Sequence, residues 1–188
     1  CPSETPEGQS IGVVKNLAMT SQITSHRPSD SCVARIQEYL TPIDELDPLI
    51  YCKSQSVKVF VNGHWLGITQ SPDEMRTRFK SERTRLKIHP HASIHWNIQE
   101  GAMYIYTDPG RLTRPLLKAG PVSRISSSAE LGASWDDLVT PISGKEPLIE
   151  YIDVNEINDL LIATSVSDIK DHTHCEIHPS LILGAMAS

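Results

Sequence analysis

Two β-rich apolar runs, Val57 to Val61 and Trp65 to Ile68, flank the dipeptide Asn62-Gly63. Both residues tolerate the positive φ that a type I′ turn demands, so residues 57–68 predict a β-hairpin. Ser71-Pro72-Asp73-Glu74 follows as a capping box with proline at the first helical position. It predicts a helix to about Leu86 that turns Met75 and Phe79 inward. Upstream, Val33, Ile36 and Leu40 recur at helical spacing over residues 32–40 behind a candidate cap at Ser31, and Pro42 and Pro48 break that pattern into a loop. Residues 93–98 and 103–107 read as two strands around Glu100-Gly101, before a turn at Asp108-Pro109-Gly110.

Other stretches are less regular. Residues 1–9 hold two prolines and a glycine within seven positions and predict a turn-rich loop. The apolar run at 11–19 fits either a buried strand or a short helix. Residues 119–147, rich in Ser, Gly and Pro, read as a linker or surface loop. Residues 148–152 predict a strand, Asp153 with Glu156 a second capping box, and Leu160 to Ala163 one more strand. No βαβ alternation appears, so the fold class expected is α+β, built of several small modules including a hairpin-plus-helix module, and not a doubly wound sheet.

Composition narrows the partners. The 188 residues carry a net charge of −6, so any contact with nucleic acid is local rather than a broad basic field. Thirteen prolines against ten glycines agree with a segmented chain. Cys1, Cys32, Cys52 and Cys175 form no CxxC pair, which favours a reducing setting over a disulfide framework. No apolar run approaches a membrane span, and no membrane partner is expected. The chain opens at Cys1 and closes on Ala185-Met186-Ala187-Ser188, which reads as a piece of a longer protein with apolar surface left exposed at both ends.

Candidate chemistry is sparse. His172, His174, Cys175, Glu176 and His178 cluster, but every second side chain of an extended segment points to the opposite face, which favours packed side chains over a metal site. Glu4 and Glu7 form a carboxylate pair held by neighbouring prolines. The cations Arg76, Arg78, Lys80, Arg83, Arg85 and Lys87 share their helix with Asp73, Glu74 and Glu82, as a solvated face would, although a phosphate-facing surface has the same residues. Arg111 and Arg114 suit either nucleic-acid contact or a structural ion pair. Phosphate loop, nucleophile elbow and Asp-rich metal loop are all missing, so no catalytic residue is assigned.

Four colinear stretches carry a family resemblance: CPSETPEGQSIGVVKN (1–16), VFVNGHWLG (59–67), YTDPGRLTRPL (106–116), and EYID (150–153) with THCEIHPSLILG (173–184). Together they resemble the second-largest, β-like subunit of multisubunit DNA-directed RNA polymerases, as an internal fragment of polymerase II or large-DNA-virus type. The resemblance implies a layout of fork-region end (1–20), helical connector (21–56), external domain (57–118), linker (119–147), small α/β module (148–170) and start of the hybrid-binding region (171–188). It implies that Pro6, Glu7 and Gly8 wall the RNA path near the active centre, with Glu4 as a structural hydrogen-bonding partner. It implies an inactive segment of a nucleotidyltransferase that binds no cofactor itself, the magnesium of the complete enzyme being held by the largest subunit. The implied partners are that subunit, the other polymerase subunits, template DNA and RNA. The spacer between Ile162 and Thr173 is shorter than nuclear polymerase II subunits usually carry. The implied location is the nucleus for a cellular protein and the viral factory or virion for a viral one. A free-standing binding module derived from the external domain is the alternative, and a small metal hydrolase using the His/Cys cluster a third.

Overall fold

The computed structural model describes residues 5–14, 17, 20–53, 56–122, 134–140 and 146–178. The hairpin forms where the Asn-Gly signal lies. Strands β3 (Val57–Val61) and β4 (His64–Thr69) pair antiparallel, and Asn62 and Gly63 take φ of 48° and 82°. Three valines of β3 alternate inward and are buried, while Lys58 and Phe60 face the other side. Helix α3 (Pro72–Thr84) follows, with Met75 and Phe79 in the core. It ends earlier than Leu86 because Leu86 itself takes φ of 57°, and the Lys87 N–H donates back to Glu82 O at 3.0 Å. The expected box at its start does not close: Ser71 makes no side-chain cap bond, and the Glu74 carboxylate faces Arg78 at 3.5 Å instead.

These elements build the first of two five-stranded sheets. Strands β5 (Ser93–Asn97) and β6 (Ala102–Tyr106) pair antiparallel, β6 runs parallel to β3, and the two-residue β2 (Thr41–Pro42) edges β4. Helix α1 spans Asp30–Gln37; Ser29 rather than Ser31 stands at its N-cap position, and its side chain makes no cap bond. It packs Cys32 and Ile36 with Met75 and Phe79 against Val59, Ile94, Met103 and Ile105 of the sheet. The expected loop after Pro42 contains a 3-10 turn (Ile43–Glu45) and α2 (Pro48–Lys53).

The second sheet centres on β7 (Leu112–Lys118), a strand with no local sequence signal. On one edge β7 pairs with β8 (Ile149–Asp153). On the other it meets β1 (Gln22–Ile23) at Leu112 and Thr113, and β10 (His174–Cys175) at Leu117 and Lys118. Among the described residues Arg114 to Leu116 have no strand partner on that edge, and Pro115, which brings no backbone donor, falls in this gap. Strand β9 (Ile162–Ala163) runs parallel to β10 and is shorter than the segment from Leu160 that the sequence suggested. One sheet therefore joins segments that the expected layout separates: 21–56, 57–118, 148–170 and 171–188. The expected linker contains α4 (Ala119–Val122), continuing directly from β7, and α5 (Trp135–Val139), whose Ser134 and Asp137 close a full capping box. Helix α6 (Val154–Ile157) is half of the second expected box: Asp153 accepts from the Glu156 N–H at 2.8 Å, but the Glu156 side chain goes elsewhere.

Candidate functional site

The Glu156 carboxylate is fully buried and receives a two-pronged contact from Arg83 of α3, with Nη1 to Oε2 at 2.6 Å and Nη2 to Oε1 at 2.8 Å. Arg83 is only 2% exposed and uses its remaining donors on Glu150 Oε1 (Nε, 2.9 Å) and on the Ala92 carbonyl (Nη1, 2.7 Å). Lys80, one helical turn earlier, reaches Glu156 at 3.2 Å, and His174 of β10 lies 3.2 Å from the second oxygen of Glu150. Burial by itself disfavours charge, yet Arg83 and Glu150 are both held in their ionised forms by their partners. The Arg83 pKa is raised, because the Glu150 and Glu156 charges outweigh desolvation. The Glu150 pKa is lowered well beneath the usual carboxylate range, because Arg83, a hydrogen bond from His174 and the Lys118 charge outweigh its own burial. This seam clamps α3 onto β8 and α6, and so the first sheet onto the second.

Arg111 and Arg114 belong to the same system. Arg111 donates to Asp153 Oδ2 at 2.7 Å, to Ser93 Oγ at 3.1 Å, and to the carbonyls of His91 and Asp108. Thr24 pins the turn before it: its hydroxyl donates to the Asp108 carbonyl and accepts from the Arg111 N–H. Arg114 places Nη1 2.7 Å from both oxygens of Glu176. Both guanidinium groups are thus engaged within the fold. Of the His/Cys cluster, His174 and Glu176 answer Glu150 and Arg114, and Cys175 is buried behind them. Among the described residues no group of three or more His, Cys, Asp or Glu side chains is arranged to hold a metal ion. Burial and then the nearby Glu82 charge push the Cys32 thiol up to about 12, so it is inert as a nucleophile.

The acidic turn is built differently. Glu4 lies outside the described residues. Pro6 leads into Glu7, which precedes a 3-10 turn at Gly8–Ser10. Gly8 adopts φ of 86° and Gly12 φ of 77°, a conformation glycine takes without strain. Glu7 and Gly8 are exposed, and the apolar run after them is not the buried element its composition suggested: Ile11, Val13 and Val14 are 63%, 74% and 59% exposed. Arg111 and Arg114 are not brought to this turn: Arg114 lies in β7 and Arg111 immediately before it, and their ion-pair partners are elsewhere.

The seam is hidden in the sequence because Arg83 is one of six cations on a helix that reads as solvated. A signal existed: Met75, Phe79 and Arg83 are spaced four apart, so Arg83 continues the buried stripe and needs a buried counter-charge.

The chain thus combines a buried ionic clamp with an exposed acidic turn. Two family models match it in chain order: RNA polymerase Rpb2, domain 3, over residues 1–23, and RNA polymerase Rpb2, domain 4, over residues 59–119. Over its whole length the chain is 33% identical to DNA-directed RNA polymerase II subunit 2 of Arabidopsis thaliana and 30% identical to DNA-directed RNA polymerase II subunit RPB2 of Schizosaccharomyces pombe. It is 34% identical to DNA-directed RNA polymerase III subunit RPC2 of the same yeast. The chain spans 17%, 19% and 16% of the length of these three relatives. It belongs to the family of second-largest subunits of multisubunit RNA polymerases, as a segment of such a subunit. The polymerase III alignment runs over 197 positions and the fission-yeast polymerase II alignment over 237, so the latter relative requires far more gaps against these 188 residues.

Proposed function

We propose that this chain supplies architecture around the active centre and RNA path of a DNA-dependent RNA polymerase, the enzyme that adds nucleotides to an RNA 3′ end under template direction. The observation that carries the reading is the match of the entire chain, with both domain models in order, to subunits of that enzyme. The largest subunit, the other polymerase subunits, template DNA and RNA are its partners, and the nucleus its location; the relatives named above are eukaryotic, and none of them supports a viral location. On the family resemblance, the reaction's magnesium is assigned to the largest subunit.

In this reading Pro6, Glu7 and Gly8 form the wall of the RNA path, with Glu4 bracing them. An exposed carboxylate repels a phosphate backbone, so Glu7 acts by orienting cationic groups of neighbouring elements rather than by binding RNA. The exposed Ile11, Val13 and Val14 support burial of this turn against a larger assembly. The test is Glu7→Gln in the complete enzyme. Elongation rate changes if the charge positions its neighbours; an unchanged rate counts against the assignment.

A further inference from the structure

A small enclosed pocket lies where the segment before α1 passes the connection between α3 and β5. Its polar lining residues are Arg27, His89, His91 and Arg111, with Ser25, Ser31 and Thr107, and no carboxylate is among the residues that line it. The space is about 10 Å³, room for one water-sized atom. The four nitrogen-bearing groups differ in how far their charge is answered. Arg111 is paired with Asp153, whereas Arg27 is exposed and meets no carboxylate among the described residues. His91 donates its backbone N–H to His89 Nδ1 at 3.2 Å, and its own Nδ1 is buried with no hydrogen-bond partner. The two rings meet edge to face at 5.3 Å, and His91 also packs on Tyr151. Burial, followed by the charges of Arg27 and Arg111, pushes both histidines below their ordinary range. Cys32 and Ile88 complete the wall with apolar surface.

We propose that this pocket receives one carboxylate oxygen from an acidic side chain of a neighbouring protein segment, with Arg27 holding the carboxylate at the mouth and His91 Nδ1 meeting the inserted oxygen. A positive lining that lacks any acid, around an unpartnered ring nitrogen, is complementary to an anion. A nucleic-acid backbone fits less well, because it needs a cationic track along several phosphates. Here one exposed guanidinium stands over a hole one oxygen wide, on a chain of net charge −6. Binding is coupled to protonation of the two histidines: an anion beside them favours their charged form, so affinity rises as pH falls, up to about tenfold per pH unit for each proton taken up.

The test uses acetate as the probe on the 188-residue chain, with the histidine ring resonances followed by NMR against pH in sodium acetate and in sodium chloride of equal ionic strength. The titration midpoints of His89 and His91 are expected to rise in acetate, saturably, with the ring of His64, exposed at the start of β4, as the internal control. Arg27→Gln should remove most of the effect. Equal midpoints in the two salts overturn the proposal without any variant being needed. A response undiminished in Arg27→Gln overturns it too, as does a larger response to inorganic sulfate than to acetate, which would assign the pocket to phosphate-like groups.

Discussion

The seam around Arg83 and the turn around Glu7 both present carboxylates, yet they are held in opposite ways. In the seam the charges of Arg83, Glu150 and Glu156 are buried and answered within the molecule, by contacts of 2.6–3.2 Å that run from α3 to β8 and α6 and from β8 on to β10. At the turn the carboxylate is exposed, the backbone is bent by glycines, and the apolar residues that follow face outward. The difference teaches where each region's specificity resides. The seam sets which modules of this chain sit together; the turn has its shape written locally, and its proposed counterpart lies outside the segment. A charge in the first region is a matter of stability, whereas on the proposed reading a charge in the second is a matter of function in a larger assembly.

The hardest break in that contrast is Arg83→Met. It deletes the shared cation and leaves Glu150 and Glu156 buried with Lys80, Lys118 and His174 as the remaining basic groups. Removing one member of a buried charge pair typically destabilises by about 3–5 kcal/mol, far more than the pair gains over an apolar replacement, because the orphaned charge stays desolvated. Denaturant unfolding followed by far-UV circular dichroism should show a loss of that size. Glu7→Gln in the same assay should stay within about 0.5 kcal/mol, as surface substitutions do. Comparable losses in the two variants would erase the distinction between the regions.

A second substitution asks whether backbone packing rivals buried charge. Gly67 has an ordinary φ, but a Cβ placed on it would stand 2.1 Å from the Thr41 carbonyl oxygen and 2.8 Å from a methyl of Leu40. Relief requires β2 to leave the edge of β4, since the closest atom is backbone. Gly67→Ala should cost about 1–3 kcal/mol by overpacking. Amide exchange should then quicken at Thr41 and Ile68 while the seam stays protected. Loosening of the seam in this variant would show that the two sheets open together rather than separately.

What could be read from the sequence divides along the same line. The hairpin was legible because Asn62-Gly63 fixes a turn through its own φ preferences, and α3 because Met75 and Phe79 are neighbours on one helix face. Strand β7 was not legible. Pro115 sits at its centre, and its partners come from residues 22–23, 149–153 and 174–175, pairings no local window contains. Caps failed where a side chain had a stronger offer: Glu156 would complete the box on Asp153, but a buried guanidinium outbids a backbone N–H for its carboxylate. Arg83 itself was hidden among surface cations that share its helix. The acidic turn was legible as a shape, since prolines and glycines declare it, whereas its role came from family resemblance and not from any contact in the chain.

The finest discrimination between the regions comes from pH. His89 and His91 have folded-state pKa values below the ordinary value of about 6.5, the burial of the rings being the main cause and Arg27, Arg111 and, for His91, its neighbour His89 adding to it. Above that value both folded and unfolded states hold the rings neutral, and the histidines impose no slope. As pH falls through it the unfolded chain takes up protons that the folded chain resists, so stability declines from about pH 6.5 downward. Glu150 adds a separate, lower window. Its depressed folded pKa contributes stability that is complete above the ordinary carboxylate range and disappears as the pH falls below it. Chemical denaturation between pH 8 and pH 3 should therefore show two descents. His91→Gln should flatten the upper one, and Glu150→Gln, at whatever lower baseline it folds, should flatten the lower one. Acetate in place of chloride should shrink the upper descent alone, because a carboxylate in the Arg27 pocket lets the folded state accept the same protons as the unfolded one. A single descent that ignores both substitutions would place the acid sensitivity outside the pocket and the seam.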